Sequence, residues 1–361
     1  MKKHPLNEIS GGTYQQYIRR KWMVLILMVL LTVLSAISSL MAGSAGLSFP
    51  EVMKAVFGHG TKQSHTIVWN VRMPRVAAAI VVGVALAICG CIMQNVMRNP
   101  LASASTLGVS QGASFGAAVS IIYLGAGTQL NTGSGNAAAL TITNPYMVTL
   151  CAFTGGMLTT VLILAISRLR GTTPTAMVLA GVAISSMFTG GTTLVQYFAD
   201  DVMVATVVHW TFGNLGRAGW TEIALIGVLS LTAFLFFLYH RWNYNAMESG
   251  THTAKSLGVP VDFLIPASMA MCALISSASV AFVGCINFIG LIASHIMRRF
   301  VGNDFRFLIP CTALCGASLL LAADIACRVL VSPTVLPIGA LTSFLGAPLF
   351  LYLIMRRGSV K

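Results

Sequence analysis

Three arginines and one aspartate are the residues here whose type and spacing could do chemistry. Arg72 and Arg75 flank Met73-Pro74, and Asp324 stands four residues before Arg328. A guanidinium offers a planar fork of N–H donors that matches a carboxylate. Residues four apart on a helix are neighbours, so Asp324 and Arg328 can pair and support a helix end. A carboxylate in an apolar segment can instead serve a proton or ion path. Such relays use several ionisable groups in series, and Asp324 is the only carboxylate well inside an apolar run. An ion-coupled carrier is therefore the second reading of this aspartate.

Other constellations are missing from the sequence. His209, His240 and His252 are scattered, and His295 in "GLIASHIMRRF" is expected to hydrogen-bond a neighbouring helix. No H-E-x-x-H zinc spacing occurs. The eight cysteines follow no metal pattern; most fall in apolar segments as small packing residues, including Cys311 and Cys315 on one helix face. There is no G-x-x-x-x-G-K-[ST] phosphate loop, so the chain does not hydrolyse ATP by that route. With no nucleophile–base pair or metal cluster, a membrane enzyme has no support.

The elements that must carry these residues are helices in lipid. Of 361 residues, 56% are hydrophobic and only 9% charged. A soluble domain is roughly a quarter charged. Ten apolar segments can be laid out, near 22–42, 75–97, 104–123, 146–167, 176–198, 221–240, 263–283, 286–300, 307–330 and 338–356. The third and eighth are short or interrupted. Segment 198–220 is too polar to span and reads as a surface or re-entrant helix. The net charge of +13 does not point to nucleic acid, because the basic residues lie beside apolar segments without stacking aromatics. With both termini cytoplasmic, sixteen of the 22 Lys and Arg fall on the inner side, as the positive-inside rule requires. Residues 1–21 form a basic tail inside, 22–357 the membrane domain, and 358–361 a second tail. The outward arginines Arg72, Arg75 and Arg328 run against that rule. They are expected to dock an acidic partner outside the membrane or to anchor lipid phosphate.

Two connectors stand out. Residues 124–145 are uncharged and rich in Gly, Asn and Thr, as in a flexible loop. Residues 241–262 are the longest polar stretch on the inner side. They hold a short helix, Thr251 to Leu257, closed by Gly258 and followed by Pro260. An exposed helix there is a candidate docking surface. Arg98-Asn99-Pro100 ends the second apolar segment, and Gly83, Gly90, Gly108, Gly112 and Gly116 recur at helical spacing around it. Small residues let helix backbones approach closely in lipid.

The stretch "RMPRVAAAIVVGVALAICGCIMQNVMRNPLASASTLGVSQGASFGA" (72–117) resembles the signature of FecCD-like permeases, the membrane subunits of ABC importers for iron–siderophores, haem and cobalamin. The likeness continues in "AKSLGV" (254–259), "NFIGLIASHIMRRFVGNDFR" (287–306), "LAADIACR" (321–328) and "LPIGALTSFLGAPLFLYLI" (336–354). It departs from the family pattern at Ser294, where proline is usual, at Val335, where glutamate is usual, and at Asn287, where glycine is usual.

The resemblance implies an all-α integral membrane protein of about ten transmembrane helices, with the type II ABC importer permease fold, in a bacterial cytoplasmic membrane. It implies a dimer with a second permease subunit, identical or related, with two cytoplasmic ATPase subunits and an extracytoplasmic binding protein. Arg72, Arg75 and Arg328 match the positions that meet glutamates of the binding protein. Ala254, Lys255, Ser256, Leu257 and Gly258 match the helix that contacts the ATPase. The fifth span is expected to line the pathway, through Thr189, Thr192, Thr193 and Gln196. No cofactor is implied in this chain; ATP and Mg belong to the partner ATPases. Ferric siderophore is the expected cargo, with haem or cobalamin as the alternative.

Overall fold

A computed structural model of the chain describes residues 11–43, 47–129, 140–142, 144–170, 174–332 and 334–355. Its helices are α1 (Gly11–Met41), α2 (Phe49–Val56), α3 (Lys62–Ile67), α4 (Met73–Val96), α5 (Val109–Ile122), α6 (Pro145–Arg170), α7 (Pro174–Tyr197), α8 (Asp201–Thr211), α9 (Trp220–Tyr239), α10 (Arg241–Glu248), α11 (Thr251–Ser256), α12 (Val261–Val283), α13 (Ile289–Val301), α14 (Phe305–Val329) and α15 (Ile338–Met355). Among the described residues, seven helices are long and apolar enough to cross a membrane. The chain is a predominantly helical, all-α-class membrane protein, as its composition requires.

Each of the ten expected segments falls mainly on a helix, but they are not equivalent. The helices for the third and eighth segments, α5 and α13, have only 14 and 13 residues. The third segment was expected from residue 104, yet α5 starts at Val109. Local hydrogen bonds hold the preceding residues in turns: Asn99 Oδ1 accepts from Leu101 N–H (2.9 Å), and Ser103 N–H donates to Thr106 Oγ1 (2.8 Å). Gly108 then enters α5 at φ +87°, a conformation open to glycine without strain. At the other extreme, α1 begins at Gly11, so residues 11–21 of the expected basic tail continue the first helix. Residues 1–10 and 356–361, with the first ten residues of one expected tail and all of the other, lie outside the described residues.

The centre of the bundle is α4, where 78% of the most apolar stretch is buried, flanked by α12 and α14 at 61% and 67%; α1 and α7 reach only 17% and lie outermost. The glycines singled out by spacing are what bring the central helices together. A Cβ on Gly83 would lie 2.6 Å from the Gly316 carbonyl oxygen of α14. One on Gly90 would collide with the Gly290 carbonyl of α13, and ones on Gly112 and Gly116 with the Gly155 and Cys151 carbonyls of α6. Backbone-to-backbone contact of this kind supplies van der Waals attraction where lipid removes any hydrophobic drive.

The loop at 124–145 is more ordered at its base than a flexible connector: β1 (Gly127–Gln129) pairs antiparallel with β2 (Leu140–Ile142), Thr128 opposite Thr141. Residues 130–139 lie outside the described residues. Between α3 and α4 the helix widens into a π turn, Val68–Arg72, two residues before Pro74. Proline has no N–H to continue the ladder, and an extra residue in the turn accommodates that loss.

Candidate functional site

At one end of the bundle the three arginines converge. Arg75 Nε donates to Asp324 Oδ1 at 2.7 Å, and Arg328 Nη2 lies 2.8 Å from Asp324 Oδ2. The i, i+4 pair expected on α14 therefore forms, with a second guanidinium from α4 on the same carboxylate. Asp324 is wholly buried. Arg328 Nη2 also reaches Ser39 O (3.0 Å) and Ser39 Oγ (2.6 Å), while Arg72 Nη1 donates to Leu40 O (2.7 Å) and Met41 O (3.2 Å). Cations thus cap the carbonyl end of α1, where the helix dipole is negative. All three guanidiniums are turned inward, and Arg75 is the most open at 14% side-chain exposure, against 9% for Arg328. Arg72 is buried. Two of the three positive charges share one carboxylate, and the third, Arg72, is held by carbonyls alone.

The opposite end carries α10 and α11. The helix expected over Thr251 to Leu257 is α11, Thr251–Ser256, with Leu257 as its cap and Gly258 at φ +84°. A left-handed residue past a helix end is favoured as glycine because no Cβ meets the carbonyl. Lys255, Ser256, Leu257 and Gly258 are exposed, and Ala254 is buried beneath them. α10 is the platform: Tyr244 is buried, its hydroxyl 2.7 Å from Ser268 Oγ of α12, and burial pushes that hydroxyl's pKa up. Asp304, which caps α14, joins α1, α10 and α14. It receives Lys21 Nζ at 3.1 Å, Arg306 Nη2 at 2.8 Å and Asn245 Nδ2 at 3.4 Å. Burial alone would raise its pKa, but the hydrogen bonds from Arg306 and Lys21 outweigh it and hold the carboxyl well below the usual range.

The four polar residues expected to line a pathway occupy the last two turns of α7. Thr189 and Thr193 are exposed on one stripe; Thr192 and Gln196 are half-buried on the next. The three threonine hydroxyls donate back to carbonyls four residues earlier, Thr189 to Ser185 (2.8 Å), Thr192 to Phe188 (2.8 Å) and Thr193 to Thr189 (3.1 Å). Each hydroxyl donor is thereby satisfied, so the threonines present hydroxyl oxygens and methyl groups. Beyond α7 the polar segment 198–220 forms the short helix α8 and a single 3-10 turn, Leu215–Arg217. Arg217 Nη2 and Nη1 cap α8 through His209 O (3.0 Å) and Trp210 O (3.2 Å). Gly213, after α8, packs against the irregular segment 284–288, and Asn214 N–H donates to Val283 O at the end of α12 (2.7 Å). Non-helical backbone inside a membrane protein is tolerated where neighbours satisfy its polar groups.

Sequence reasoning missed Glu248, Asp304 and Lys21 as members of the α11 end. Asp304 had a signal, a residue with a short acceptor side chain just before a helix; its partner Lys21 lies 283 residues away, beyond any spacing rule. His295 Nδ1 lies 2.9 Å from Leu291 O, one turn back on its own helix, and 3.4 Å from Gln94 Nε2 of α4. Among the described residues, no three His, Cys, Asp or Glu side chains gather as metal ligands.

The chain is 48% identical to a Methanocaldococcus jannaschii protein assigned as an ABC transporter permease, over 95% of this chain and 97% of that one. It is 34% identical to a hemin transport system permease protein of Yersinia pestis, over 94% and 97%. It is 33% identical to an iron(3+)-hydroxamate import system permease protein of Bacillus subtilis, over 92% and 83%. A solved inward-facing structure of a transporter assigned to the metal-chelate ABC type superposes with a TM-score of 0.80 at 28% identity, covering 92% of this chain and 99% of that one. Residues 27–356 match the model of the FecCD transport family, and the chain belongs to that family.

Proposed function

We propose that the chain is the permease subunit of a binding-protein-dependent ABC importer whose cargo is a ferric siderophore. The observation that carries the reading is the family match, which runs through nearly the whole chain rather than one motif. Two such subunits, identical or related, enclose the pathway, with the exposed stripe of Thr189 and Thr193 on α7 as part of its wall. Two ATPase subunits holding ATP and Mg dock at α11 through Ala254, Lys255, Ser256, Leu257 and Gly258. A binding protein docks at the end carrying Arg72, Arg75 and Arg328, where two guanidiniums on one carboxylate and a third held by carbonyls leave an excess positive charge for its acidic groups. Both termini lie in the cytoplasm of the cell whose membrane holds the protein. The chain supplies a path and no covalent chemistry; nucleotide in the partners biases two states of the dimer by binding them unequally.

Haem or cobalamin is the alternative cargo, because the relatives named for hemin, iron(3+)-hydroxamate and vitamin B12 are 34%, 33% and 35% identical to this chain. The test is uptake of radiolabelled ferric hydroxamate, haem and cobalamin into vesicles holding the permease, its ATPase and its binding protein. ATP-dependent accumulation of ferric hydroxamate alone is expected. Uptake driven by an ion gradient without nucleotide would overturn the reading in favour of a secondary carrier.

A further inference from the structure

We infer that Glu248 is the positioning residue through which α11 acts on the membrane-spanning helices, an inference that rests on the importer reading above. Glu248 is the last residue of α10, three before α11 begins. Its carboxylate accepts from Asn95 Nδ2 near the end of α4 (3.0 Å), from Arg298 Nη1 of α13 (3.1 Å) and from Asn303 Nδ2 beyond α13 (2.9 Å). One side chain thereby ties the connector of α11 to the ends of two core helices. Asn95 Nδ2 also reaches Tyr244 O of α10 at 3.3 Å, which makes the joint two-sided.

α11 has little else to push against. Ala254 is its buried residue, and the Lys255–Asp262 pair (2.8 Å) is exposed on both sides, a kind of contact that contributes little. A displacement of α11 is relayed through α10 to Glu248. The joint also has room to shift. A cavity of about 270 Å³ adjoins it, lined by Asn95, Arg98, Glu248, His295 and Arg298 among others. Two buried acceptors on its walls, Gln94 Oε1 and Asn95 Oδ1, have no hydrogen-bond partner. They can take the donors that a shifted Arg298 or Asn303 would otherwise leave unpaired, so a second arrangement of the joint costs few hydrogen bonds. The neutral Asn and charged Arg partners respond differently to loss of the Glu248 charge, which makes the role separable from packing.

The test uses the full complex in proteoliposomes, with radiolabelled ferric hydroxamate as probe and ATP hydrolysis read in parallel. Glu248→Gln is expected to cut uptake about tenfold, with hydrolysis within about twofold of the unaltered protein and the ATPase still co-purifying, because coupling free energies between sites are of that size. Glu248→Asp, which keeps the charge, restores most of the uptake. Asn303→Ala, at an exposed position, is a milder second variant and lowers uptake about threefold at unchanged hydrolysis. Unchanged uptake in Glu248→Gln and Asn303→Ala overturns the inference. So does a joint loss of uptake, hydrolysis and co-purification, which marks Glu248 as a docking or folding residue. Absence of ATP-driven uptake of every cargo by the unaltered complex instead overturns the importer reading, and this inference with it.

Discussion

Arg75 Nε lies 2.7 Å from Asp324 Oδ1, across 249 residues of sequence, and Asp324 is fully buried. The contact joins the start of α4 to the end of α14, the two helices that also meet through Gly83 and Gly316. Replacing Asp324 with Ala strands Arg75 and Arg328 in a desolvated site without a counter-charge. Loss of one partner of a buried ionic group costs about 3–5 kcal/mol. Thermal unfolding in detergent should show a lowered Tm, with Asp324→Asn between Ala and the unaltered protein. A Tm equal to that of the unaltered chain would remove the cluster from the stability of the fold.

The glycine contacts make a sharper contrast. Gly90→Val places branched carbons against the Gly290 backbone and forces α4 from α13; overpacking costs about 1–3 kcal/mol or more when backbone must move. Gly190 and Gly227 are also helical, but nothing lies within 4 Å of an added Cβ. Gly190→Ala and Gly227→Ala should therefore purify as a single size-exclusion peak, while Gly90→Val aggregates. Similar behaviour of all three would contradict close packing between α4 and α13.

Acid should loosen the α11 end through Asp304. Its pKa is depressed in the folded protein by Arg306 and Lys21. The stabilisation is therefore complete above the unfolded value near 4 and declines as pH falls below it toward the folded value. Unfolding of the intact chain compared at about pH 5 and pH 3 should show a fall that Asp304→Asn lacks. An equal fall in both proteins would assign the acid sensitivity elsewhere.

Sidedness can be read by thiol labelling. The native cysteines are free, and all are buried except the half-buried Cys151, so the background is low. Lys255→Cys, on an exposed position of α11, should react with an impermeant maleimide only from the cytoplasmic side. Reaction from outside would reverse the topology and with it the assignment of both ends. Thr193→Cys should react too, and protection of that thiol on assembly with a second permease would support α7 as a wall of the dimer.

How far the sequence reached differs by element. The stop at Gly258 was legible because helix ends are governed by local backbone geometry, and the chain turns there at φ +84°. The recurrence of Gly83, Gly90, Gly112 and Gly116 was legible because small residues at helical spacing leave one face open to a neighbour. Which neighbour each meets was not, since Gly290 and Gly316 are as small as many other candidates. The start of α5 was misjudged by five residues because hydropathy does not see the hydroxyl and amide hydrogen bonds of Asn99, Ser103 and Thr106.

By itself the sequence determined that this chain lives in lipid as helices, where those helices stop, and that Asp324 could meet Arg328 one turn away. These follow from transfer of apolar side chains, from backbone sterics and from i, i+4 neighbourhood, all of which act over a few residues. Only the tertiary structure decided that Arg75 shares Asp324, that Arg72 caps α1, and that Lys21 meets Asp304. These groups lie 32, 249 and 283 residues apart, and their choice is fixed by the packing of the whole bundle, which no local period encodes.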